Sequence, residues 1–432
     1  MRILLGLHDV NFSVHKKFFY AMIHLTRENM AREKYISMRQ NVTGFSFANL
    51  GLFTGFGAGV VNAVYSLTLL GIFETFFSEK VASGAVGVYA AVYACFACVV
   101  GIFSTEILHW FTKTRLLYIT MITLGACYAM MSFSVKPLTF ITLDYVAQAA
   151  VTLVNILLPL FISDFSKGVG MEKLNARFHL WANVGALVAP VFAMTIVSHF
   201  AGNYRIPFLA AGMIYFSGVL FFKHFGIVQE DKVLKPVSVH KTLRVLRIGM
   251  KSFFSKKGMS RAYMVNFGFY ALRAMRLLYV PIVVIESGFS NTTLGIVLSL
   301  GIIPYIIIES FIGKWMKKYG IRLWLTLGFL LFALCSFVAT FASGYTLLVI
   351  FILWQIPGAF MEASHDLLFF NGMPRKEQAR FYGIFRTSVN VPSVIAPILG
   401  AICIALFGTT SAVWLITGIV GVLSTIILWS KD

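Results

Sequence analysis

Charge is what this sequence has least of. Only 12% of its 432 residues are Asp, Glu, Lys or Arg, 58% are hydrophobic, and the mean hydropathy is +0.82. A soluble domain carries about twice that charge, so an ordinary soluble fold is excluded. Cysteine is sparse as well. All five (Cys95, Cys98, Cys127, Cys335, Cys403) fall inside apolar runs, which suggests neither a disulfide framework nor a zinc ribbon. Cys95 and Cys98 share a helix face and read as small packing residues. No Gly-rich phosphate loop ending in Lys-Ser/Thr occurs, which argues against an ATP-driven pump. The first 43 residues are polar and basic (Arg2, Lys16, Lys17, Arg27, Arg32, Lys34, Arg39), and no short apolar segment ending in small residues precedes a cleavage site, so no signal peptide is expected.

What is present is a series of apolar runs, each about the 20 residues that a bilayer core requires. Twelve spans are expected, at 44–73, 81–104, 115–135, 138–163, 178–200, 206–226, 262–285, 291–313, 322–342, 345–370, 381–407 and 409–430. Transmembrane strands would be about ten residues long with alternating polarity. The runs are longer and continuous, which predicts an all-α, polytopic membrane protein.

With the N-terminus placed inside, the outer loops hold only Lys80, Lys136 and Arg205, and nearly all other lysines and arginines fall on inner segments. The positive-inside rule then puts both termini in the cytoplasm. The net charge of +19 would raise the question of nucleic acid in a soluble protein; here it reads as topology, and no nucleic acid is expected. The longest inner loop, 227–261, contains HKTLRVLRIGMKSFFSKKG, in which Leu243, Leu246 and Phe253 form an apolar stripe beside Arg244, Arg247, Lys251, Lys256 and Lys257. This reads as an amphipathic helix on anionic headgroups, or else as a solvated linker. Residues 12–35 have a similar character.

That loop divides the chain into an N-terminal segment (1–43), a first group of spans (44–226), the basic loop (227–261) and a second group (262–432). A shift of 207 residues aligns Gln148 with Gln355, Asn183 with Asn390, and Ala189-Pro190 with Ala396-Pro397, which points to duplication. Span 1 adds Gly51, Gly55 and Gly59 along one face, a signature of close helix packing.

Six plus six spans, both termini inside and a long basic central loop resemble the major facilitator superfamily. Two local motifs carry the resemblance further. Between spans 8 and 9, GKWMKKYGIRLW matches that family's glycine and basic cluster at Gly313, Gly320 and Arg322, with Lys317 where an acid is expected. The copy between spans 2 and 3, TEILHWFTKTRLL, keeps Lys113 and Arg115 but has Thr105 and Thr112 for the glycines and His109 for the acid. Span 5 offers Ala176, Gly185, Ala189, Pro190 and Ala193 at the places of the Gly-Pro motif of the family's proton-linked exporters. Span 11 repeats it with Gly383, Pro392, Ala396, Pro397, Gly400 and Ala401. Small residues and bends of this kind suit a rocking interface, and ordinary helix packing would use them too. The resemblance implies two six-helix bundles around a central cavity lined by spans 1, 4, 7 and 10.

Ionisable residues at membrane depth cost about 2.5–3.5 kcal/mol each, so those present need a reason. Arg273 and Arg276 lie one turn apart in span 7. The acids inside spans are Asp144 in span 4, Glu309 in span 8, and Glu362 and Asp366 in span 10. By the helix rise of about 1.5 Å per residue, Asp144 and Glu362 bracket the arginines in depth, so an arginine can reach either. Three roles stay open: a fixed ion pair, a proton-coupling carboxylate, or arginines that clamp an anionic substrate. A carboxylate beside arginine has its charged form favoured, so coupling requires the pair to separate. Gln148 and Gln355 join the candidate site, and Glu309 with Arg386 reads as a structural pair near a gate. Glu106/His109 and Glu362/His365 have the spacing of di-metal bundles, but further carboxylates at matching depth are missing and no metal or cofactor is expected.

The first reading is a monomeric secondary transporter of the plasma (inner) membrane, in contact with lipid, that exports a small organic solute with protons. The alternatives are a carrier of an organic or phosphorylated anion held by Arg273 and Arg276, and a transporter-like receptor or scaffold. No nucleophile–base pair suggests an enzyme.

Overall fold

The computed structural model describes residues 49–165, 171–225 and 249–430, apart from 363 and 366. Among the described residues it contains only helices. Twelve helices, α1 to α12 for spans 1 to 12, are long and apolar enough to cross a membrane, which makes the chain a multi-pass membrane protein. The first six are α1 (Asn49–Glu74), α2 (Glu79–Trp110), α3 (Lys113–Phe133), α4 (Pro137–Phe165), α5 (Met171–His199) and α6 (Ile206–Phe225). The second six are α7 (Met259–Glu286), α8 (Asn291–Leu300 and Ile303–Tyr319), α9 (Ile321–Phe341), α10 (Gly344–Leu353, Gln355–Glu362 and Leu367–Gly372), α11 (Arg375–Phe407) and α12 (Val413–Trp429). Hydrocarbon offers no partner for backbone N–H and C=O groups, so each span satisfies its own by coiling.

Two of these helices are broken, and proline accounts for the break in α8 and for the first of the two in α10. Pro304 has no N–H for the carbonyl of Leu300, and Pro357 none for that of Leu353; the first pieces of α8 and α10 end at those two residues. Pro190, Pro281, Pro392 and Pro397 lie within otherwise continuous helices.

Two six-helix bundles result. In the first, the glycine stripe of α1 lies against α5. A β-carbon at Gly51 or Gly55 would collide with the backbone of Phe178 or Ala182, and one at Gly59 would sit 2.6 Å from the Ala189 methyl. From the other side, a β-carbon at Gly185 would meet the Leu52 carbonyl oxygen and the Phe56 nitrogen at 2.6 Å. In the second bundle α7 packs on α11 and α12, and α9 on α10 and α12. The bundles meet along α2 with α11 and α5 with α8.

Each contact between bundles uses a proline that the repeat relates to the other. Beside Pro190 the Val191 N–H donates to Ser299 Oγ of α8 at 3.3 Å, and Gly295 of α8 packs on the Pro190 carbonyl. At Pro397 the carbonyl accepts from the Tyr279 hydroxyl of α7 at 3.2 Å and faces Gly87 of α2. Further bonds join the bundles at the end formed by the α1–α2, α5–α6, α7–α8 and α11–α12 connections. Ser83 donates to Glu286 at 2.9 Å, Tyr204 donates to Asn291 at 2.7 Å, and Ser198 lies 3.4 Å from Thr292. Glu286 also accepts from Thr410. At the opposite end, Gly320 joins α8 to α9 at φ +84° and ψ 149°, a conformation open essentially to glycine alone. Arg322 is exposed beside it.

The basic loop corrects one expectation. Leu243 and Leu246 lie outside the described residues, but Phe253 does not meet headgroups. Residues 249–254 are helical and bury Phe253 completely among Met259, Phe369, Met373, Phe381 and Phe385. Lys256 pairs with Glu377 at 2.5 Å and lies 5.4 Å over the Phe381 ring. The ring finds its apolar surroundings in the protein, which packs it more densely than lipid would.

Gly185→Leu should lower the thermal stability of the purified protein by about 1–3 kcal/mol, read as a lower Tm in detergent. An unchanged Tm would mean that α1 and α5 are not packed backbone to backbone.

Candidate functional site

The candidate site begins with the two helix breaks, which lie against each other. A β-carbon at Gly301 would sit 2.9 Å from Gln355 Cγ, and one at Gly358 would collide with the Tyr305 hydroxyl. The break in α8 thus delivers Tyr305, one residue after Pro304, and the break in α10 delivers Gln355, two residues before Pro357. Arg276 of α7 reaches both. Its Nη1 donates to the Tyr305 hydroxyl at 2.7 Å and to Gln355 Oε1, and its guanidinium carbon stands 5.8 Å from the Tyr305 ring centroid.

One turn earlier, Arg273 Nη1 donates to Glu362 Oε1 at 2.7 Å. The two side chains are 38% and 32% exposed, although their neighbours Leu272, Met275 and Met361 are buried. The pair therefore stands at an opening within the fold rather than in its packed interior. Below it His365 is buried, with Nδ1 2.9 Å from the Glu362 carbonyl oxygen and Nε2 3.4 Å from the Tyr270 hydroxyl. Glu362 and His365, three residues apart, thus turn to different partners. Among the described residues no cluster of three His, Cys, Asp or Glu could hold a metal.

Among the described residues, Asp144 of α4 takes no arginine. It is 1% exposed, and its Oδ2 accepts from the hydroxyls of Tyr65 in α1, at 2.8 Å, and Tyr89 in α2, at 2.7 Å. Tyr93 lies 5.7 Å from Tyr65 between ring centroids, and Tyr145 lies 5.9 Å from Tyr89. The arginines instead turn to α8 and α10 of their own bundle. Helical rise orders residues in depth only, so the reach to Asp144 inferred from sequence carried no information about direction.

Gln148 is half-buried one turn along α4, and its backbone carbonyl accepts from the Thr152 hydroxyl. Asp366 lies outside the described residues, as do the side chains of Glu309 and Gly313's surroundings, so the proposed partnership of Glu309 with half-buried Arg386 is not described. Sequence reasoning missed Tyr65, Tyr89, Tyr93, Tyr270 and Tyr305, and it noted His365 only for its spacing to Glu362. Pro304 and Pro357, each inside an expected span, were the signal for Tyr305.

Residues 262–432 match the family model of the Major Facilitator Superfamily. About nine-tenths of the chain shares its fold with solved transporters. A D-xylose–proton symporter aligns with TM-score 0.71 at 14% identity, over 90% of this chain and 97% of that one. A POT family transporter in complex with a thioalcohol-conjugated peptide aligns at 0.70 and 12%, over 89% and 94%. The fold is that of the major facilitator superfamily. The nucleoside transporter NupG aligns at 0.67 and 15%, over 91% and 98%. No curated protein sequence matches the chain. At such identities the likeness concerns the major facilitator fold and leaves the chemistry to this chain's own residues.

A double-mutant cycle over Arg273→Ala and Glu362→Ala should give a coupling of about 1 kcal/mol, as for a pair partly open to water. Strictly additive losses in thermal unfolding would show that the two do not interact.

Proposed function

We propose that the chain is a secondary active transporter that moves a small organic solute by alternating access, linked to protons and directed outward. The observation that carries this reading is the Arg273–Glu362 pair. It is charged, lies within spans, and is a third exposed at an opening inside the fold. Lipid would not solvate it, and a merely structural pair would gain by full enclosure and complete hydrogen bonding. A wet central site explains both the charge and the exposure.

Rocking of the bundles is supported by their small-residue contacts at Pro190 and Pro397. The polar bonds of Glu286, Asn291 and Thr292 form a closure that must break in the alternate state. A D-xylose–proton symporter among the proteins of this fold supports the proton link, and the Gly-Pro pattern of α5 supports the outward direction. The second reading, an organic anion carrier, is favoured by Arg276, whose described partners are neutral.

Proteoliposomes with an imposed pH gradient test the proposal. Solute movement should follow the gradient, and Glu362→Gln should remove that dependence while solute exchange without a gradient persists. Transport indifferent to the gradient would remove the proton link, and an absence of transport across a broad solute set would leave the receptor or scaffold reading.

Breaking the closure gives a further check. Glu286→Ala should raise the labelling of a cysteine introduced at Tyr65 by a membrane-impermeant thiol reagent applied from the α1–α2 side; unchanged labelling would mean that these bonds do not hold that end shut.

A further inference from the structure

Among the described residues, formal charge does not balance within either bundle at the candidate site, and the two imbalances have opposite sign. In the second bundle Arg273 and Glu362 cancel, which leaves Arg276 with one positive charge against a hydroxyl and an amide oxygen. Both of those bonds use Nη1. The Nε and Nη2 groups of Arg276 make no hydrogen bond to described residues, and neither is sealed away from solvent. That edge of a guanidinium presents two parallel N–H donors, the arrangement that takes a carboxylate or similar oxyanion.

In the first bundle the imbalance is negative. Asp144 is bonded by two phenol hydroxyls on one oxygen, and no Lys, Arg or His among the described residues bonds it. It is shielded rather than displayed. Tyr65, Tyr93 and Tyr145 are half-buried where Asp144 is fully buried, and their rings stand 5.7–6.1 Å apart in sequence, with Phe96 5.2 Å beyond Tyr145. A phenol that donates its proton to a carboxylate gains electron density in the ring. Tyr65 donates in this way, and a row of aromatic rings in front of a buried anion attracts an organic ammonium through the ring faces.

We propose that the solute is a zwitterion, with its ammonium against the tyrosine faces before Asp144 and its oxyanion on Arg276. This rests on the transporter reading and narrows its substrate class. It also gives the solute a mechanical role. A ligand can shift a conformational equilibrium only by its differential affinity for the two states. A zwitterion held at both ends bridges the bundles, so it favours the state in which they approach; a ligand with one charge is held by one bundle alone.

The separation of the two subsites is tested with a ladder of unbranched ω-amino acids from three to eight carbons, compared with alkyl carboxylates and alkylamines of equal length. Ligand-induced thermal stabilisation of the full-length protein and exchange in proteoliposomes are both read. One ladder length should stabilise and exchange, and the matched carboxylate and amine should need about tenfold or more higher concentration. Arg276→Gln should abolish the preference over the amine, and Arg276→Lys should restore part of it. Tyr93→Leu should weaken binding more than Tyr93→Phe, which keeps the ring. The unliganded Tm of each variant shows whether it folds.

Equal binding of the carboxylate would overturn the proposal in favour of an anion carrier, and equal binding of the amine in favour of a cation carrier. If no ladder member binds but another solute follows a pH gradient, the zwitterion is wrong and the transporter reading stands. If nothing binds and nothing moves, both fall.

Discussion

A carbonyl inside hydrocarbon must find its donor within the protein, and proline removes one. The architecture of this chain follows from where those losses occur. Pro304 and Pro357 end helix pieces at Leu300 and Leu353, and the two breaks pack together to set Tyr305 and Gln355 around Arg276. Pro190 and Pro397 keep their helices continuous and lie where the bundles meet: the Val191 N–H beside Pro190 bonds Ser299 of α8, and the Pro397 carbonyl, bonded by Tyr279 of its own bundle, faces Gly87 of α2. One set of defects builds the site and the other builds the surface on which the bundles meet.

The repeat explains the second set and fails for the first. Pro190 and Pro397 correspond under the 207-residue shift and do corresponding work. The charged positions do not correspond. Arg273 and Arg276 align with Ser66 and Leu69, both buried, and Asp144 aligns with Phe351, which is enclosed by Trp354 and Trp414. The 207-residue correspondence thus covers the interface prolines and leaves out the charged positions.

The spans and the membrane class were legible in the sequence because they depend on composition along the chain. Arg273, Arg276, Glu362 and Asp144 were legible because charge at membrane depth is costly enough to stand out. Their partners were not. Depth along a helix follows from counting residues, but the rotation of one helix against another depends on every contact between them, so the turn of Arg273 to Glu362 and of Asp144 to two tyrosines had no local signature. Phe253 shows a related limit. An amphipathic stripe announces that one face seeks an apolar phase, and the same pattern serves a lipid surface and a cluster of aromatic side chains.

The glycine stripe of α1 has a mechanical consequence. With Gly51, Gly55 and Gly59 set backbone against backbone on α5, little side-chain padding separates the two helices, and they tilt as one beam. Pro190 of α5 touches α8 beside that stripe, and Tyr65 of α1 places its hydroxyl on Asp144. In the rocking proposed above, the packing glycines would make α1 and α5 the stiff arm of a lever, so that movement where the bundles touch would be felt at the buried acid.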